Sequence, residues 1–168
     1  LGAEPFFFSH AKEKNAGQTY AIIMDYFIIA MAIGMVGLVT NIEILKYFIA
    51  GGSTASSAQN WQGLAVVPVL LLGYIFLGIY MSLSIWYKLS DQTKYGLYIS
   101  GAGAIITIVL NLLFIPSYGY IASAWITMFT YASMMVISYI LGQKNYPIPY
   151  HTLKNLMYIV CSILISWL

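Results

Sequence analysis

Five long apolar runs, separated by short polar breaks, decide what this chain can become. They are Tyr20 to Val39, Leu64 to Tyr87, Leu97 to Ile115, Gly119 to Leu141 and Leu156 to Leu168. The first four hold about 19 to 24 residues each, enough for a helix to cross roughly 30 Å of hydrocarbon. Strands of a membrane barrel are shorter and alternate apolar with polar residues, which these runs do not. Lipid offers the backbone no hydrogen bonds, so a spanning segment must satisfy its own, as a helix does. The expected fold class is therefore all-α, a polytopic transmembrane helical bundle. The fifth run stops after 13 residues, Leu1 is not an initiator Met, and no basic n-region leads into a cleavable signal. The chain reads as a single transmembrane domain truncated at both ends, with the remaining helices of a full-length protein as its partners.

Composition excludes the soluble alternative. The chain is 61% hydrophobic and 7% charged, and all seven of its basic residues are lysine. A soluble domain of this length would be left almost without a charged surface. A net charge of +2 is too small to point to nucleic acid. The one cysteine, Cys161, lies in an apolar run, can form no internal disulfide and reads as a small buried hydrophobe.

The lysines fix the orientation. If the runs alternate across the bilayer, Lys12, Lys14, Lys88, Lys94, Lys144 and Lys154 fall on one side and only Lys46 on the other. Positive excess marks cytoplasmic loops, so the first span should start in the cytoplasm. Aromatic pairs stand where interfacial belts place them: Tyr20 with Tyr26, Tyr47 with Phe48, Trp86 with Tyr87, and Tyr146 with Tyr150. Ile115-Pro116-Ser117-Tyr118-Gly119 is long enough only for a tight outer turn, which makes the third and fourth spans an antiparallel hairpin. Lys88 to Tyr95 should form a short inner turn, and Gly51 to Gly63 the longest outer loop.

Each complete span carries small or polar residues at helical spacing. These are Ala30, Gly34, Gly37 and Asn41; Tyr74, Gly78 and Ser82; Ser100, Gly103, Thr107 and Asn111; and Gly119, Ser123, Thr127 and Thr130. Lipid is as apolar as leucine, so helices associate by close backbone approach and occasional hydrogen bonds, and such stripes are expected at contacts. Parts of them could instead line a water-accessible path, for which Asn111, Thr107 and Asn41 are the candidates.

Asp25 is the one ionisable group inside a complete span. A carboxylate at a helix centre costs about 2.5 to 3.5 kcal/mol on insertion scales, so it needs a reason. Lying about one and a half turns from the cytoplasmic end, it is expected in the headgroup region, with ion coupling as the sharper alternative. Glu43 and Lys46 read as a rim pair of little energetic weight. His10 and His151 stand in polar stretches with no second ligand at metal-binding spacing, so no metal site is expected. No phosphate loop or nucleophile motif is present, and neither catalysis nor a cofactor is expected.

Particular strings add a resemblance. Glu4-Pro5-Phe6-Phe7-Phe8 with Ala11-Lys12, Ile44-Leu45-Lys46-Tyr47, Val67-Pro68, Leu77-Gly78-Ile79-Tyr80 and Leu83-Ser84-Ile85-Trp86-Tyr87-Lys88 together resemble bacterial polysaccharide biosynthesis proteins of the oligosaccharide flippase type. Asn111, Ile115-Pro116, Tyr118-Gly119 and Ser123-Ala124, followed by Tyr146-Pro147-Ile148-Pro149-Tyr150, look like the hairpin of the multidrug/oligosaccharidyl-lipid/polysaccharide exporter superfamily. Ala122 departs from that pattern where relatives have glycine. The resemblance implies a two-lobed, MATE-like fold around a central cavity, with this chain in the second lobe. It implies translocation of a polyprenyl-diphosphate-linked oligosaccharide across the bacterial inner membrane by alternating access. The anion site would then lie in helices outside this chain. Two rival readings are a cation-coupled multidrug exporter of the same superfamily and a membrane-embedded enzyme of envelope polysaccharide assembly.

The lysine distribution gives a test of topology. In a Cys161→Ala background, Ser90→Cys and Gln143→Cys should be shielded from an impermeant thiol reagent in whole cells, while Ser56→Cys should react. Labelling at position 90 with protection at position 56 would reverse the orientation.

Overall fold

In the computed structural model, the residues described are 16–44, 63–145 and 147–167. The initial strings, His10, Lys12, Lys14, Lys46 and almost all of the Gly51 to Gly63 loop lie outside them. Every element among the described residues is helical. Helix α1 spans Ala16–Thr40. A 3-10 turn at Gly63–Val66 leads into α2, Val67–Leu83, with Pro68 in its first turn, where a missing N–H breaks no helical bond. After a step at Ser84 the chain continues as α3, Ile85–Leu89. Helices α4, Lys94–Tyr118, and α5, Tyr120–Asn145, form the expected hairpin, and α6 is Thr152–Trp167. Among the described residues, four helical stretches are long and apolar enough to cross a membrane: Gly17–Thr40, Val67–Lys88, Lys94–Tyr118 and Tyr120–Asn145.

The hairpin turn is tighter than the sequence suggests. Helix α4 runs through Pro116 to Tyr118, and Gly119 alone reverses the chain, with φ +64° and its N–H donating to the Ile115 carbonyl at 2.8 Å. A side chain at that φ would clash with its own backbone, so glycine sets the end of the helix. At the opposite end Asp91, with φ +54°, turns the chain between α3 and α4.

Packing sets the helices side by side in the order α6, α1, α2, α5 and α4, with α2 against α5 the most extensive contact. The row is knit by small residues set against large ones. A Cβ on Gly73 would lie 3.2 Å from the Met128 Cα, and one on Gly78 would lie 2.7 Å from the Phe27 ring. Gly103 faces the Met134 sulfur and Gly142 faces the Trp86 indole. Helix α5 buries Thr130, Met134, Ser138 and Gly142 at four-residue steps, the spacing of one helical face. Near one end, Ile85 meets Tyr20, Ala21 and Ile148, Trp86 meets Gly142, and Tyr87 meets Gly96. These contacts gather the start of α1, the short α3, the start of α4 and the end of α5. The four described lysines, Lys88, Lys94, Lys144 and Lys154, therefore share one end of the bundle.

Among the described residues the α1 stripe meets no other helix, and Cys161, expected to be buried, is exposed. Ala30, Gly34 and Gly37 on α1 and Asn41 just beyond it are exposed, and nothing among the described residues approaches Gly34 or Gly37 within 4 Å. The helix buries another face, through Tyr20, Ala21, Met24, Ile28, Ala32 and Met35. Between helices in lipid no hydrophobic gradient selects a face, so shape decides, and here the larger side chains fill the core with Ile75, Ile79 and Ile159.

This packing separates glycines that look alike in sequence. Gly73→Leu should lower the melting temperature of the purified protein, because the obstacle is the backbone of α5, with overpacking costing about 1 to 3 kcal/mol. Gly34→Leu should stay within about 0.5 kcal/mol of wild type, since its site is open. Equal destabilisation by both would contradict the packing described.

Candidate functional site

Asp25 lies on the buried face of α1, between Met24 and Ile28, and is only 7% exposed. Protein groups close around its carboxylate. The His151 imidazole Nδ1–H donates to Asp25 Oδ2 at 2.9 Å, across 126 residues of sequence. Lys154 Nζ stands 3.9 Å from the same oxygen, beyond hydrogen-bonding range but close enough for Coulombic support. Lys154 also lies over the Tyr158 ring, 5.9 Å from its centroid, a weak cation–π contact. His151 and Lys154 sit at the start of α6, where the short segment after α5 delivers them to α1.

The segment between α5 and α6 is held by its own contacts. Gln143 Nε2 donates to the Ile148 carbonyl at 2.8 Å, and Ile148 is buried with Tyr20, Ala21 and Ile85. Tyr139 and Tyr150 lie ring to ring, 6.4 Å between centroids. His151 thereby reaches Asp25 while its own side chain stays 57% exposed. The second carboxylate oxygen, Oδ1, is buried and has no hydrogen-bond partner among the described residues.

Beside this cluster lies a cavity of about 250 Å³ between α1, α2, α5 and α6. Met24, Ile28, Ile79, Leu83, Met135 and Ile159 form most of its wall. Thr152 and Asn155, from the first turn of α6, complete the lining, whose surface is almost wholly apolar. Asn155 is 5% exposed, and neither atom of its amide has a partner among the described residues.

The other candidates from the sequence stand apart from Asp25. Thr107 donates its hydroxyl to Thr130 at 3.2 Å, joining α4 to α5. Asn111 lies one turn further on the same face of α4, half-buried, with its amide oxygen buried and without a partner among the described residues. Asn41 is exposed at the far end of α1, its amide N–H donating to the Gly37 carbonyl at 2.8 Å. At a rise of 1.5 Å per residue, Asn41 is about 24 Å along α1 from Asp25. None of Asn41, Thr107 and Asn111 lines the four-helix cavity.

Sequence reading missed His151 as a partner because it searched for ligands at local spacing. The usable signal was the burial of Asp25: a carboxylate at that depth needs a cation from the same membrane side, and His151 and Lys154 were both there. Comparison with family models, with curated proteins and with solved structures gives no match for this chain.

The pair makes a measurable claim. A hydrogen bond to a charged group contributes about 1 to 2 kcal/mol once the exposure of His151 is allowed for. A double-mutant cycle of Asp25→Ala and His151→Ala, read by thermal unfolding in detergent, should give a coupling of that size. Additive effects would mean that the two side chains do not meet in solution.

Proposed function

We propose that this chain forms part of a bacterial inner-membrane transporter that moves a lipid-linked oligosaccharide, carried on a polyprenyl diphosphate, from the inner to the outer leaflet by alternating access. The observation that carries the reading is the hairpin string of Asn111, Ile115-Pro116, Tyr118-Gly119 and Ser123-Ala124, which resembles that of the polysaccharide exporter superfamily. Its physical counterpart is a membrane-length helix pair reversing at a residue whose φ requires glycine. Four membrane-length helices support a multi-pass protein, and the gathering of the described lysines at one end supports the start of α1 facing the cytoplasm. With those lysines at the end of the bundle, these helices would line or brace the path, leaving the diphosphate to cations elsewhere in the transporter. The reading needs neither a cofactor nor covalent chemistry.

A second reading, a cation-coupled multidrug exporter of the same superfamily, draws on one observation. Asp25 is a buried carboxylate with a titratable partner, the kind of group that can couple proton movement to a conformational change.

Deletion of the gene in its host and complementation in trans separates the two. Lipid-linked repeat units should accumulate inside the deletion strain, and surface polysaccharide should fall, with recovery on complementation. Asp25→Asn should restore export close to wild type at matched protein level, since the amide can still accept from His151. Unchanged polysaccharide with increased sensitivity to cationic drugs would favour the exporter, as would loss of all transport in Asp25→Asn.

A further inference from the structure

Two buried polar groups on α1 and α6 are left over. Asp25 Oδ1 has no hydrogen-bond partner among the described residues, and neither has either atom of the Asn155 amide, although both residues are more than nine-tenths buried. Buried and unpaired, each is costly. One is an acceptor and the other carries N–H donors, so they can satisfy one another. A turn of helix keeps them in different pairings: Asn155 follows His151 by four residues on the same face of α6, its backbone N–H donating to the His151 carbonyl at 3.0 Å, and it is His151 that holds the carboxylate. The two helices run in the same direction, Asp25 meeting His151 near the lysine-rich end and Val36 and Gly37 sharing a groove with Ser162 and Ile165 farther along.

The sequence of α6 repeats at that same step. A move of four residues toward the lysine-rich end puts Asn155 in the place of His151, Ile159 in that of Asn155, Ile163 in that of Ile159 and Ser166 in that of Ser162. The buried polar place becomes apolar, the apolar place stays apolar, and a hydroxyl replaces a hydroxyl. Leu153, Leu156, Met157, Val160 and Leu164 are exposed and all apolar, so the outer face of α6 is indifferent to its height. The cavity of about 250 Å³ beside Ile159 leaves room for side chains to pass. Pro149 and His151 are exposed, so the linker before α6 can bow outward as the helix descends.

We propose that α6 has a second register on α1, one helical turn nearer the lysine-rich end, in which the Asn155 amide replaces the His151 imidazole on Asp25. The displacement is about 6 Å, four residues at a rise of about 1.5 Å each. It carries His151 and Lys154 away from the buried face and gives the Asn155 amide a partner. One-turn ratchets of this kind let packed helices hold two discrete arrangements. The two registers exchange one bond to Asp25 for another, which makes α6 a bistable element and not a fixed strut. The inference rests on the packing of α6 against α1 and not on what is transported.

Double electron–electron resonance on the full-length protein in lipid nanodiscs tests it. Nitroxides at Asn41→Cys and Leu153→Cys, in a background whose native cysteines are replaced by alanine, mark the exposed far end of α1 and the start of α6. Because Asn41 lies along α1 from Asp25, a descent of α6 by one turn lengthens the distance between the labels by about 6 Å. Wild type should show a main distance and a minor, longer one. His151→Ala should make the longer distance the main one, because the imidazole no longer holds the first register. Asn155→Leu should leave the shorter distance alone, and His151→Gln, which keeps a donor at that place, should resemble wild type. A single distance in both wild type and His151→Ala would overturn the proposal, as would a longer component that survives Asn155→Leu. Where His151→Ala does not fold, wild type decides, and a single distance there overturns it. The complementation experiment can fail without changing any of these outcomes.

Discussion

The close approach of α2 to α5 at Gly73 is the contact from which the rest of the bundle extends. In hydrocarbon there is no water to drive helices together, so association comes from dispersion contacts and a few polar bonds. Both improve steeply as backbones come closer. Gly73 lets the α5 backbone at Met128 come within 3.2 Å of where a Cβ would stand. With that distance set, Thr130, Met134, Ser138 and Gly142 present a continuous buried face. Helix α4 uses it through Gly103 and Thr107, and Trp86 closes it at the lysine-rich end. On the other side of α2, Gly78 receives Phe27 of α1.

Helix α6 is attached differently. It packs chiefly on α1 and carries the polar groups of the candidate site. A buried ion pair is weak evidence of net stability, because desolvating both partners offsets much of their attraction. Its effect here is register: only one rotation and height of α6 brings both His151 and Lys154 to the same oxygen of Asp25. The apolar contacts around Ile159 then fill in behind it. The cavity exists because those side chains leave a gap that Asn155 borders but does not fill.

Length and apolarity make the spans legible, since roughly 20 apolar residues have almost no soluble alternative. The hairpin is legible for a related reason, as a few residues containing glycine leave the chain no room for anything but reversal. Pro116 misleads about the boundary: it can sit in a terminal helical turn, and Gly119 makes the reversal alone. The α1 stripe of Ala30, Gly34, Gly37 and Asn41 is misleading for a deeper reason. Periodicity reveals that a face exists but not, in lipid, which face is buried. Asp25 is visible as an anomaly, whereas its partner is not, because 126 residues separate them and only the tertiary path after α5 joins them. Asn155 is hidden by lying just before an apolar run, where a polar residue looks like the edge of a helix and not a buried group.

Cross-linking across the α2–α5 contact tests this account most directly. An ideal Cβ at Gly73 lies 3.5 Å from the Met128 Cβ, within the range that a disulfide spans. Gly73→Cys and Met128→Cys, combined in a Cys161→Ala background and treated with a mild oxidant in native membranes, should form an intramolecular disulfide. It can be read as protection from a thiol-specific mass label that returns on reduction. Full labelling of both cysteines in correctly inserted protein would contradict the account, because α2 and α5 would then not be the central pair.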